Sequence, residues 1–152
     1  MQTLPLTRRS RIIAGILLLS IVTIEFGGYY LTTVVRGQVE LTEFQQAFAR
    51  AGHAHAGVLV ILSLVALLYA DAAGLRGRLV RLAIPAAAIL MPAGFFVSSI
   101  GDGREQPNGL IVLLWLGALS LAIGVIALGI GLLRSAAGSA DVSETSDAAA
   151  AA

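Results

Sequence analysis

LIVLLWLGALSLAIGVIALGIGLL, residues 110–133, contains no charged side chain, and Ser120 is its one hydroxyl. A helix rising 1.5 Å per residue needs roughly 20 apolar residues to cross a hydrocarbon core. This stretch is long enough, so it is read as a transmembrane helix. Working outward, three more apolar runs of similar kind appear, at about 12–35, 54–70 and 79–100. Glu25 is the only charge inside the first, and Pro85 and Pro92 lie inside the third. None of the runs alternates polar with apolar as a barrel strand would, and backbone groups in lipid must be satisfied within their own segment. The expected fold is all-α, an integral membrane four-helix bundle over residues 1–134.

Composition supports the same class. Hydrophobic residues make up 57% of the 152 and charged residues 12%, against about 25% charged in a soluble domain. So little charge cannot cover a water-facing surface, and the lipid bilayer is the expected surrounding. A net charge of +1 gives no reason to expect nucleic acid. The chain has no cysteine, which excludes disulfides, thiolate metal sites and cysteine nucleophiles. No Walker loop, dinucleotide fingerprint, His-Glu-x-x-His or Gly-x-Ser-x-Gly occurs, so a non-enzymatic protein is expected.

Short polar connections separate the runs. In the longest, residues 36–53, Thr42 precedes apolar residues at helical spacing. It is placed to cap an early start of the second helix. Residues 101–109, Gly-Asp-Gly-Arg-Glu-Gln-Pro-Asn-Gly, are turn formers. Residues 135–152 hold little to bury and read as a disordered cytoplasmic tail. Seven arginines (Arg8, Arg9, Arg11, Arg76, Arg78, Arg81 and Arg134) fall on one side of the predicted topology, and Arg36, Arg50 and Arg104 on the other. The positive-inside rule then places both termini in the cytoplasm of a multi-pass cell-membrane protein. Residues 7–11, Thr-Arg-Arg-Ser-Arg, loosely resemble a twin-arginine signal. The following apolar run is too long for a signal h-region and no small-x-small site ends it cleanly, so it is expected to stay as a span.

Small residues let membrane helices approach closely. Such stripes occur at Ser120, Gly124, Ala127 and Gly131; at Ala87, Met91, Gly94 and Ser98; and at Ala56, Ser63 and Ala70. In the first helix the expected inward face joins Ala14, Leu18, Ile21, Glu25, Gly28 and Thr32.

Three residues carry the candidate chemistry. Glu25 near mid-membrane costs several kcal/mol unless protonated or paired, so it is a candidate proton-linked group or metal ligand. His53 and His55 are the only histidines. Both are candidate cofactor and metal ligands, with haem or a metal ion as the cofactor. Positions i and i+2 on a regular helix point about 200° apart, so the pair shares one ion only where the helix unwinds. Glu25 and His55 lie at levels differing by roughly 5 Å, which makes a contact feasible, with Ser98 and Ser99 near enough to join.

The stretch 52–59, Gly-His-Ala-His-Ala-Gly-Val-Leu, resembles a Gly-His-x-His helix of uncharacterised small actinobacterial membrane proteins. It is loosely similar to haem-binding helices of the haem–copper oxidase and nitric-oxide-response membrane families. That resemblance implies a bacterial inner-membrane protein in which haem is held by His53 and His55, or by one histidine from each subunit of a dimer. Four helices with a membrane-embedded glutamate in the first are also similar to small multidrug transporters, which implies proton-coupled flux through Glu25. Three functions stay open: a membrane subunit or accessory protein acting through a homo-oligomer or another membrane protein, a haem- or metal-binding redox protein, and a proton-coupled transporter. The first ranks highest.

Overall fold

Helix starts are set locally. The Thr7 hydroxyl accepts the Ser10 N–H at 3.2 Å and opens α1, Arg8–Val35. Thr42 opens α2, Glu43–Ala72, with a full capping box: its hydroxyl accepts the Gln45 N–H, and the Gln45 side chain accepts the Thr42 N–H. Two otherwise orphaned donors are satisfied together, which is why the helix starts well before the apolar run. Helix α3, Arg78–Ser98, follows Gly74 at φ +66° and runs through Pro85 and Pro92. Asn108 caps a 3₁₀ turn, Gly109–Ile111, that leads into α4, Val112–Ala150. The computed structural model describes residues 6–150, with side chains as far as Gly138.

The all-α, four-helix expectation holds, and all four helices are long and apolar enough to cross a membrane. Helices α1 and α2 begin ahead of their apolar runs because side-chain caps at Thr7 and Thr42, not hydropathy, set those starts. Past Arg134, where a disordered tail is expected, the backbone continues as helix to Ala150. Residues 135–150 are alanine-rich and lack proline, and alanine is the best helix former. The last two residues of the expected tail lie outside the described residues.

Successive helices run antiparallel and pack mainly on their chain neighbours, α1 on α2, α2 on α3 and α3 on α4. Helices α1 and α4 do not meet among the described residues, so the bundle is an open row with α2 and α3 inside it. The tightest seam is α3 against α4. A methyl group at Gly117 would fall 2.5 Å from Met91 Cγ, and one at Gly124 would fall 2.6 Å from Ile84 Cγ1. Gly131 approaches Leu75 in the same way. Ser120 Oγ donates to the Ala83 carbonyl across this seam at 2.8 Å. Ala56, Ser63 and Ala70 are buried on α2 as their spacing predicts, as are Ala87, Met91, Gly94 and Ser98 on α3.

On α1 the expected inward face needs correcting. Leu17 is the buried residue (3% exposed), while Leu18 and Glu25 are exposed. The packed side passes through Ser10, Leu17, Ile24 and the Gly27–Gly28 pair, about one residue out of phase with the expected stripe. Gly28, not the carboxylate, meets α2 closely: an added methyl there would stand 3.1 Å from His53 Cε1, whereas one at Gly27 would make ordinary contact at 3.7 Å.

Candidate functional site

His53 projects from α2 toward α1. A methyl group at Gly28 would come 3.1 Å from its Cε1, and one at Gly27 would come 3.7 Å from its Nδ1. The imidazole is half-buried and makes no hydrogen bond among the described residues. It lines a cavity of about 280 Å³ between α1, α2 and α3, whose wall includes Thr23, Gly27, Ala88, Pro92 and Phe96. The hydroxyl of Thr23 is committed to the Ser20 carbonyl at 2.6 Å. Pro92 has no N–H, so the Ala88 carbonyl lacks its usual helical donor. A ligand with one donor or acceptor and an apolar body suits this space, since the wall is mostly apolar, the Ser20 and Thr23 hydroxyls donate to their own helix, and the His53 imidazole has no partner among the described residues.

Phe96 also lines a second cavity of about 390 Å³ toward the end that carries the 101–108 turn, together with Tyr30, Gln45, Ala49, Ser99 and Gly101. The ring lies against Gly52, where an added methyl would fall 3.0 Å from Phe96 Cε2. The Phe96 ring is therefore common to the walls of both spaces.

His55 turns away from that cavity. Its Nδ1 lies 2.7 Å from the Ala51 carbonyl, and its ring packs on Phe95 at 5.0 Å between centroids. A carbonyl only accepts, so Nδ1 carries the proton and, in the neutral ring, Nε2 keeps a lone pair. Phe44, Phe48 and Phe95 continue the aromatic row. The two histidines thus serve different sides of α2, as their i, i+2 spacing requires. Glu25 is exposed on α1 and has no hydrogen bond or ion pair among the described residues. No three His, Cys, Asp or Glu side chains gather where they would share a metal ion among the described residues. Ser98 and Ser99 donate to the Phe95 and Phe96 carbonyls of their own helix and do not join the histidines.

Two polar clusters escaped sequence reasoning. At the arginine-rich end, Arg81 is 5% exposed. Its Nη1 donates to Asp71 Oδ1 (2.5 Å), Ser10 Oγ (2.5 Å) and Thr7 Oγ1 (3.1 Å), and its Nη2 donates to the Leu75 carbonyl (2.6 Å). Asp71 Oδ2 accepts the Thr7 N–H at 2.9 Å. This network ties the starts of α1 and α3 to the end of α2. At the other end, Gln45 Nε2 donates to the Ser99 and Gly101 carbonyls, and Thr42 Oγ1 donates to the Arg104 carbonyl. The clue to the first was an acid and a base ten positions apart around a glycine turn. For the second it was a glutamine at the third position after Thr42.

No known protein family, curated protein or solved structure matches this chain.

Proposed function

We propose that the chain is a multi-pass subunit of a cell-membrane assembly, with both termini cytoplasmic, and that it docks through the α1 face carrying Glu25. The observation that carries this reading is Glu25 itself, an exposed carboxylate with no partner among the described residues, midway along the least buried helix. Left against lipid tails it costs several kcal/mol, a cost removed by a donor from an adjoining helix. Leu18, Val22, Glu25 and Tyr29 form one continuous exposed stripe around it. The orientation draws support from the fold, since Ser10, Asp71, Arg81 and the Ser135–Ala73 hydrogen bond bring the seven-arginine side together at one end.

Photocrosslinking side chains placed at Val22 and Tyr29 in native membranes test the reading, with Ile126 on α4 as control. Discrete protein adducts are expected from the α1 positions, lost with Glu25→Ala. Mass analysis of the adduct tells a second copy from a different chain. Adducts no more frequent than at Ile126 refute the reading.

The His55 geometry favours one further reading, haem bound between two copies. A ligating imidazole usually donates its other N–H to a carbonyl, as His55 Nδ1 does to Ala51. One chain brings one imidazole to that face, so the second ligand would come from the other copy. Haem would supply electron transfer there, and this chain's part would be to fix the ring orientation through Ala51 and Phe95. Protein purified from haem-supplied cells should show a Soret band that His55→Ala removes and His53→Ala leaves. Its absence in the unaltered protein ends this reading.

A further inference from the structure

A groove opens between α1 and α3 at the arginine-rich end, where the two helices barely touch. It has a volume of about 230 Å³ and is lined by Arg9, Ile12 and Ile13 from α1 and by Arg78, Arg81 and Leu82 from α3. The floor and walls are apolar and the rim is cationic. Arg81 is neutralised by Asp71 and held by the network below the groove. Arg9 and Arg78 are exposed and have no hydrogen bond or ion pair among the described residues. Arg8, Arg11 and Arg76 add exposed charge at the same end.

These charges sit where charge alone is disfavoured. Both α1 and α3 begin here, each with no acidic residue in its first turn, and α3 has no side-chain cap. Helix starts carry partial positive charge and favour anions. Asp71 is the one acid in the network and is already committed. The groove therefore suits an anion at its rim and an apolar chain along Ile12, Ile13 and Leu82.

We propose that this groove binds an anionic phospholipid, with its phosphate between Arg9 and Arg78 and an acyl chain laid along Ile12, Ile13 and Leu82. The assignment rests on the reading that the helices cross a bilayer, because only then do these arginines lie at headgroup depth. Basic grooves between membrane helices at the cytoplasmic side are suited to anionic headgroups. The apolar lining distinguishes a lipid from a free phosphate, which would leave that lining exposed.

The test uses the full chain in mild detergent, with lipid binding followed by native mass spectrometry. Phosphatidylglycerol, phosphatidylcholine of the same chain length and inorganic phosphate are titrated separately. Phosphatidylglycerol should bind best, and each of Arg9→Gln and Arg78→Gln should weaken it roughly fivefold. Arg36→Gln, exposed at the opposite end, should leave it unchanged. All three replaced side chains are exposed, so folding should survive. Equal binding of phosphatidylcholine, equal binding of inorganic phosphate, or unaltered phosphatidylglycerol binding by the Arg9→Gln, Arg78→Gln double variant each overturns the proposal. Carbonate washing of native membranes tests the bilayer reading separately. A chain released by the wash defeats that reading and the lipid site together, whereas a retained chain with unaltered lipid binding in the double variant defeats the lipid site alone.

Discussion

Alanine at Gly94 would put a methyl group 2.3 Å from Leu114 N and 2.7 Å from Leu114 Cα. Both are backbone atoms, so no rotamer change relieves the contact. Ordinary contact begins at 3.4 Å, which leaves the methyl about 1 Å short, and α4 must move away from α3 by a similar amount. A radial gap of 0.5–1 Å forfeits a quarter to a half of each dispersion contact behind it. In lipid there is little hydrophobic drive to offset that loss, because packing itself holds the helices together. Gly94→Ala should therefore destabilise the fold by about 3 kcal/mol, the upper end of ordinary overpacking. The assay is unfolding by added SDS in mixed micelles, followed by circular dichroism and by the fluorescence of Trp115, the only tryptophan, next to Leu114. Gly129→Ala is the control, since its methyl would meet nothing within 4 Å. It should stay within about 0.5 kcal/mol of the unaltered chain. Equal midpoints for the two variants would refute the close α3–α4 seam.

The same assay reads three further substitutions. Asp71→Asn should cost about 3 kcal/mol, because it leaves the Arg81 charge buried and uncompensated; adding Arg81→Gln should recover part of the loss. Gln45→Ala should cost about 2 kcal/mol through the capping box and the Ser99 and Gly101 carbonyls, and proteolysis within residues 101–108 should speed up. Ser120→Ala should cost only about 0.6 kcal/mol, the usual worth of one interhelical hydrogen bond in a membrane protein. A larger loss at Ser120 than at Asp71 would reverse the ranking of the two contacts.

Much of the fold was legible without coordinates. Hydropathy and length alone determined four helices long and apolar enough to cross a membrane, because a backbone in lipid would have no other way to satisfy its hydrogen bonds. The Thr42 cap and the small-residue stripes of α2, α3 and α4 were also readable, since capping is local and close approach demands small side chains. The rotation of α1 was not. When lipid is as apolar as the bundle interior, hydropathy no longer distinguishes the two sides of a helix. The packed side of α1 brings Gly28 close against His53 and leaves Glu25 outside. The sequence by itself determined that His53 and His55 diverge, because positions two apart on a helix must. Only the tertiary structure decided that His53 meets a cavity and His55 an aromatic row, since that depends on which neighbour lies on each side of α2. It also decided that Arg81 is buried on Asp71 while Arg9 and Arg78 have no partner among the described residues. Sequence counts charges at a helix end, but pairing depends on distances that form only when α1, α2 and α3 are packed together.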